Sequence, residues 1–178
     1  MEKQGKSFAI CGLFIALFAI SSKLQIPSPF IPFTMQTAVL LLCLLILPDF
    51  LPLLTITVYL FFGLIGLPLF SQGGGFSYIL QPTFGYLLSF IICAIIKGLF
   101  FKRPTGYKSG IILSLISIFT VHLLDTLYAF LIYNLHLHTQ FTFIDCFIVS
   151  SLIFIPTDLI WCFLSPLVSK RISKVIKL

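Results

Sequence analysis

Long apolar runs with very few charged residues between them are the feature that most restricts how this chain can fold. Only 9% of the 178 residues are charged, and the mean hydropathy is +1.15. A soluble domain has about a quarter of its residues charged, because water must solvate its surface. The sequence therefore predicts an integral membrane protein. At roughly 25 to 30 residues per span and connection, we expect an all-α bundle of six transmembrane helices in one domain, residues 1–178, without an appended soluble domain.

Prolines, glycines and polar residues divide the chain into the predicted helices. We expect these near residues 7–22, 34–47, 53–67, 82–101, 109–134 and from about 157 onward. The first run lacks a signal-peptide cleavage site and is interpreted as a transmembrane helix. In the last apolar region, Pro156 disfavours helix at the residue before it. This predicts a separate interfacial or re-entrant segment near residues 142–155, with a single kinked helix as the alternative.

Two connections lack the pattern of regular structure. Residues 26–33, here called the proline loop, contain three prolines, which favour an extended path. Residues 71–81, here called the glycine loop, read SQGGGFSYILQ and are expected to have no strong structure of their own. The glycine loop lacks the spacing of a nucleotide-binding fingerprint, so the sequence predicts no ATP site.

The positions of the basic residues predict the orientation. Ten of the eleven Lys and Arg fall on the side of the termini, and Lys23 falls opposite. Cytoplasmic loops accumulate Lys and Arg, so both termini are expected in the cytoplasm. The net charge of +6 is then a sign of topology and not of nucleic-acid binding. Both loops and Asp158 face outward in this arrangement. Irregular backbone in a membrane is tolerated where it packs in protein or lines a cavity, which predicts an outward-facing cavity.

Two sets of polar residues are candidates for function. Asp158 is the only acid in the last predicted helix, and carboxylates inside membranes are costly enough to suggest ligand binding. Capping of its own helix is the alternative. His122 and Asp125 are three residues apart and share a helix face with Tyr128. They suit either a proton relay or a hydrogen bond between helices.

Small residues mark two further candidate surfaces. In the glycine loop, Gly73, Gly74 and Gly75 allow close backbone approach, beside the aromatic residues Phe76 and Tyr78. A flexible loop is the alternative interpretation. On the first helix, small residues recur on one face and would let another helix approach closely, in the same chain or in another subunit. This small-residue stripe consists of Ala9, Gly12, Ala16 and Ala19.

The sequence carries no recognisable catalytic or metal-binding pattern. The five cysteines are scattered through apolar runs, form no CxxC pair and are interpreted as buried small hydrophobic residues. The sequence contains no HExxH motif and no hydrolase-like order of Ser, His and Asp. We therefore predict no enzyme activity, no cofactor and no metal site.

Three segments resemble a known family. IPSPFIPFTMQT (26–37), GLIGLPLFSQGGGFSYILQPTFGYLLSF (63–90) and IPTDLIW (155–161) are similar, in order and spacing, to the BioY family. These proteins are the biotin-specific substrate-binding subunits (S components) of energy-coupling factor (ECF) transporters. The most specific parts are GLP followed by glycines and P-T-x-G-Y, and the PFT-x-Q-T pattern. The resemblance implies that the chain captures biotin from outside a prokaryotic cell membrane and joins a transmembrane coupling protein and two cytoplasmic ATPases.

The resemblance also implies residue roles. The small-residue stripe would dock onto the coupling protein. In the family's P-x-D-x-x-K pattern, Pro156 and Asp158 match, but Trp161 stands where the lysine is expected. Lys23, the outward-side cation, is the candidate replacement as partner of a ligand carboxylate. The candidate substrate-binding residues are Asp158, Tyr86, Gly73, Gly74, Gly75, Phe76, Tyr78, Phe30, Thr34, Gln36 and Lys23.

Three other functions remain open at the level of the sequence. One is a stand-alone proton-coupled carrier, in which His122 and Asp125 would form the relay. The small size of the chain and the absence of a visible inverted repeat count against it. Another is an S component for a different carboxylate-bearing vitamin, such as lipoate. The third is a non-transporting membrane scaffold.

Overall fold

Apolar α-helices make up most of the described chain, which in this computed structural model comprises residues 2–26, 33–102 and 106–176. The all-α prediction is confirmed, and the helices lie close to the predicted positions. Two two-residue strands, β1 (Gln25–Ile26) and β2 (Phe33–Thr34), pair antiparallel. The helices are α1 (Glu2–Lys23), α2 (Gln36–Ile46), α3 (Leu51–Leu64), α4 (Phe84–Phe100), α5 (Tyr107–Leu131), α6 (Phe143–Phe147) and α7 (Ile155–Ile176).

The helices differ in length. Residues Gly5–Lys23 of α1, and α5 with the π-helical turn that follows it (Tyr107–His136), are each long and apolar enough to cross a bilayer. Helix α6 and the next π-helical turn (Ile148–Leu152) join α7 at a bend of 47°. This bend lies just before Pro156 and fits both alternatives, the separate segment and the single kinked helix. Helices α2, α3 and α4 are shorter apolar helices of 11, 14 and 17 residues.

Helix α2 occupies the centre of the bundle. It packs against α1, α4, α5 and α7, so nine of its eleven residues are buried. Helices α1, α3 and α4 meet beside it through aromatic side chains. The Phe18 ring stacks on Tyr59 at 5.3 Å between centroids and lies 5.9 Å from Phe90. These contacts form the apolar core on which the site is built.

A glycine sets the close approach of α4 and α5. A Cβ added to Gly85 would lie 2.7 Å from Cβ of Tyr128 and 2.9 Å from Cα of Asp125. Any larger residue would push the two helices apart. Since Gly85 belongs to the P-T-x-G-Y pattern, this part of the pattern has a packing role. It brings the neighbouring residue Tyr86 against α5.

A buried lysine closes the end of the bundle opposite Asp158. The Lys97 side chain is fully buried, and Nζ donates to the carbonyls of Leu47 at 2.9 Å, Asp49 at 2.8 Å and Lys102 at 3.2 Å. The last carbonyls of a helix have no partner within it. The ammonium therefore satisfies carbonyl groups at and just beyond the ends of α2 and α4.

The glycine loop is more regular than predicted. It contains a 3₁₀ helix, Phe76–Leu80, and the Gly75 amide donates to the Gly63 carbonyl at 2.8 Å. Gly73 and Gly75 have φ of +125° and +100°, values that glycine adopts readily. The expectation of no strong structure was wrong, because positive φ lets the chain fold back onto the end of α3. In the proline loop, residues 27–32 lie outside the described residues.

Candidate functional site

A small cavity lies beneath the glycine loop at one end of the bundle. Its volume is ≈ 30 Å³. Its lining combines hydroxyl groups, one amide, one carboxylate and several apolar side chains. The lining residues are Thr34, Gln36, Thr37, Ser71, Tyr78, Thr83, Tyr86, Leu87, Phe90, Phe154 and Asp158.

Asp158 is the only acidic or basic residue among the described residues that line the cavity. It lies in the first turn of α7 and is only 3% exposed. Its Oδ2 lies 3.2 Å from Nε2 of His122 on α5, which is within ion-pair distance. Its backbone amide already donates to the Phe154 carbonyl at 3.0 Å. The amide of Asp158 is therefore not free for a ligand.

Tyr86 joins α4 to the irregular segment before α7. Its hydroxyl donates to the Ser150 carbonyl at 2.6 Å, in the π-helical turn Ile148–Leu152. The His122 ring packs edge-on against the Tyr86 ring, with centroids 6.2 Å apart. Short π-helical turns often occur at functional sites, and this one orients the Tyr86 ring beside Asp158.

Three hydroxyl groups meet where the glycine loop covers the cavity. The Tyr78 hydroxyl lies 2.8 Å from Oγ of Ser71 and accepts a hydrogen bond from Oγ1 of Thr83 at 3.2 Å. Tyr78 lies in the 3₁₀ helix, and Thr83 lies immediately before α4. This cluster offers neutral donors and acceptors to a polar ligand group.

Side chains of α1 and α3 hold the chain just before the glycine loop. Nζ of Lys23 donates to the Phe70 carbonyl at 2.7 Å. Oγ of Ser22 and the hydroxyl of Tyr59 both donate to the Leu69 carbonyl, at 2.7 Å and 2.9 Å. Lys23 is exposed and does not line the cavity. In this conformation it anchors the backbone next to Ser71.

The structure brings some of the other predicted residues together and leaves others apart. Phe76 is 72% exposed and does not line the cavity, and Phe30 lies outside the described residues. Gly73, Gly74 and Gly75 shape the covering loop without lining the cavity. Five predicted residues do line it: Thr34, Gln36, Tyr78, Tyr86 and Asp158.

Sequence reasoning missed several lining residues, and for some a signal was present. Thr37 closes the PFT-x-Q-T pattern, and Thr83 belongs to P-T-x-G-Y. Leu87 and Phe90 follow Thr83 at helical spacing, which places them on one face of α4. Ser71 and Phe154 carry no local signal, because the folding of distant segments brings them to the cavity.

The three polar residues that were predicted to share one face of α5 each have a different neighbour. His122 lies at ion-pair distance from Asp158 on α7. Asp125 is fully buried beside Gly85 and does not line the cavity. Tyr128 donates to the Ile79 carbonyl of the 3₁₀ helix. The face therefore supports both the site and its cover.

The surfaces predicted away from the cavity can also be located. On the small-residue stripe, Ala9, Gly12 and Ala16 are exposed, and Ala19 is half-buried. A Cβ added to Gly12 would meet nothing within 4 Å. All five cysteines are buried and unpaired, as predicted. The described residues contain no cluster of His, Cys, Asp and Glu that suits a metal ion.

Known proteins are similar to this chain over its whole length. The profile of the BioY family matches residues 1–178. The "Probable biotin transporter BioY" of Lysinibacillus sphaericus is 32% identical, over 99% of this chain and 91% of that protein. The "Biotin transporter BioY" of Rhodobacter capsulatus is 28% identical, over 95% and 94%.

A solved structure has the same fold. It is the crystal structure of the S-component for biotin from an ECF-type ABC transporter, with a TM-score of 0.83 at 21% sequence identity. The similarity covers 97% of this chain and 93% of that one.

Proposed function

Because the chain belongs to the BioY family, we propose that it is the substrate-binding membrane subunit of an ECF-type ABC transporter and that its ligand is biotin. The observation that carries the proposal is the cavity at one end of a membrane helix bundle, with a buried carboxylate in its wall. The names of the relatives and the fold of the biotin S-component support the choice of ligand.

The chemistry of the cavity suits the two parts of biotin. The bicyclic urea carries two N–H donors, and Asp158 offers carboxylate acceptors in a buried position. Charge-assisted hydrogen bonds of this kind are short and strong. The thioether ring and aliphatic chain would pack on Leu87, Phe90 and Phe154. The cluster of Ser71, Tyr78 and Thr83 would face the polar end of the ligand.

The size of the cavity requires its cover to move. Pockets for small organic ligands measure about 300–1,000 Å³, whereas this cavity measures only ≈ 30 Å³. The glycine loop covers the cavity and is the segment that would move outward. It would then close over biotin around a larger cavity than the one described here.

Orientation and partners follow from the charge distribution and the exposed helix face. We propose that both termini are cytoplasmic and that the cavity opens outward, since ten of the eleven basic residues lie on the side of the termini. The small-residue stripe would contact the transmembrane coupling protein, which would carry two ATPases. Its exposed members leave space for another helix to approach.

Uptake into membrane vesicles tests the function. Vesicles containing the chain, with and without the coupling protein and ATPases, would be supplied with labelled biotin. We expect uptake to depend on ATP and on all the subunits. Uptake driven by a pH gradient alone would instead support a carrier that uses His122 and Asp125. No uptake and no binding would indicate a scaffold.

Direct binding tests the site. Asp158→Asn is expected to weaken biotin binding to the purified chain by about 1.5–3 kcal/mol, or about 10- to 150-fold. Asp145→Asn is the matched control. Asp145 is also an acid in the first turn of a helix, but it is exposed and bonds to Thr142 of its own capping box. Equal affinities for wild type and Asp158→Asn would assign Asp158 a structural role only.

A further inference from the structure

A second cavity lies at the end of the bundle opposite Asp158. Its volume is ≈ 360 Å³, far larger than that of the first. Along α7, Lys170 and Lys174 lie 12 and 16 residues beyond Asp158, or about 18 and 24 Å at the rise of an α-helix. We call this cavity the lysine cleft. Its lining residues are Leu45, Ile46, Leu47, Pro48, Lys102, Gly106, Tyr107, Gly110, Pro166, Ser169, Lys170, Ser173 and Lys174.

Positive charge converges on the lysine cleft from two parts of the chain. Lys170 and Lys174 are one turn apart on α7, and Lys102 follows α4. No acidic residue is among the described residues that line the cleft. Asp49 is next in sequence to the lining residue Pro48, but it is exposed and does not line the cleft. The cleft therefore favours an anion.

The floor of the cleft is apolar and closely packed. A Cβ added to Gly110 of α5 would lie 3.0 Å from Cβ of Pro166 on α7 and 3.4 Å from Cδ2 of Leu45 on α2. Three helices thus meet beneath the lysines. The side chains of Leu45, Pro48 and Pro166 give the wall a surface that suits hydrocarbon.

We propose that the lysine cleft binds the phosphate headgroup of an anionic phospholipid, with the start of an acyl chain on the apolar wall. Headgroups lie at the ends of membrane-spanning helices, where Lys102, Lys170 and Lys174 are placed. Basic pockets between transmembrane helices are suited to such headgroups. A free anion would use the lysines but would leave the apolar wall without a partner. The site is separate from the biotin cavity and does not depend on its occupant.

Lipid retention tests the proposal. The purified full chain in detergent would be mixed with phosphatidylglycerol, or with phosphatidylcholine of the same acyl chains, and bound lipid counted by native mass spectrometry. We expect one phosphatidylglycerol to be retained in preference to phosphatidylcholine. Each lysine near an anionic headgroup contributes on the order of fivefold in affinity, so Lys170→Gln with Lys174→Gln should weaken retention by roughly twentyfold.

The matched control removes the same charge at the same end. Lys108→Gln with Arg171→Gln lowers the net charge by two but does not change a lining residue, so retention should stay at the wild-type level. A third variant, Ser173→Asp, places a negative charge in the cleft and should also expel the anionic lipid. Biotin binding by each variant reports whether the protein is folded.

Three results would overturn the proposal. Equal retention of the two lipids would remove the preference for anions. Equal losses of lipid retention in the two double variants would show that retention depends on the net charge of the protein and not on the lysine cleft. Displacement of the lipid by inorganic phosphate at a concentration no higher than that of the lipid would show a site for the free ion, without a role for the apolar wall.

Discussion

Gly74→Ala tests whether the cover of the biotin cavity depends on close backbone packing. A Cβ at this position would lie 2.1 Å from the Leu67 carbonyl oxygen and 2.9 Å from that of Gly63. Carbon and oxygen atoms normally approach to about 3.3 Å, so the shorter contact is too close by about 1.2 Å. Both neighbours are backbone atoms and cannot rotate away. The glycine loop must therefore shift by about 1 Å, together with Ser71 and Tyr78 of the cavity wall.

The expected effect on binding follows from this overlap. Inserting a methyl group into a closely packed site costs about 1–3 kcal/mol. The strain falls on the closed loop, which holds Gly74 against the Leu67 carbonyl. It therefore opposes the ligand-bound state and should raise the Kd for biotin by about 5- to 150-fold. Faster dissociation should account for most of the change.

Calorimetry or labelled-biotin binding to the purified variant measures this effect, with thermal unfolding in detergent as a second readout. Gly106→Ala is the matched control, because the nearest atom to a Cβ at Gly106 is 3.4 Å away, at the other end of the bundle. An unchanged Kd in Gly74→Ala would refute the reasoning. If the free energy of unfolding falls by as much as the free energy of biotin binding, the contact supports the whole bundle and not the cover alone.

Three further changes test other parts of the molecule. Lys23→Gln should reduce affinity for biotin more than for an uncharged biotin amide, because Lys23 is the cation that the described residues offer beside the glycine loop. Equal losses of affinity for the two ligands would limit the role of Lys23 to holding the Phe70 carbonyl. Ala16→Trp on the exposed face of α1 should abolish ATP-driven uptake and leave biotin binding intact, because the larger side chain would hold another helix away. Loss of biotin binding as well would show that this face contacts the bundle. Lys97→Met should destabilise the protein in thermal or chemical unfolding by about 1–3 kcal/mol for each carbonyl left without a donor, since three carbonyls lose the Nζ donor; wild-type stability would contradict this role.

The helices could be predicted from the sequence because apolar runs and prolines act locally. The bend before α7 is an example, since Pro156 restricts the backbone of its own neighbour. The regular structure of the glycine loop could not be predicted in this way. It depends on Gly75 bonding to Gly63, twelve residues away, and on Tyr128 bonding to Ile79 from another helix.

The candidate site was predictable where a residue type is costly in a membrane or part of a family pattern. Asp158 stood out as an intramembrane acid, and Tyr86 as part of P-T-x-G-Y. The contact of His122 with Asp158 was not predictable, because it depends on how α5 and α7 pack. The spacing of His122 and Asp125 indicated a shared helix face, but spacing along one helix does not identify the partner across the bundle.

Helix α1 carries hydrogen bonds to another segment in its last turn and an exposed face of small residues nearby. Its last turn bonds through Ser22 and Lys23 to the backbone just before the glycine loop, and its exposed face carries Ala9, Gly12 and Ala16. From Ala16 to Lys23 the helix rises only about 10 Å. A neighbour that tilts or shifts α1 therefore either carries the cover of the cavity along with the helix or breaks both hydrogen bonds. A displacement of α1 is therefore transmitted to the start of the glycine loop through two side-chain hydrogen bonds, without passing through the rest of the bundle.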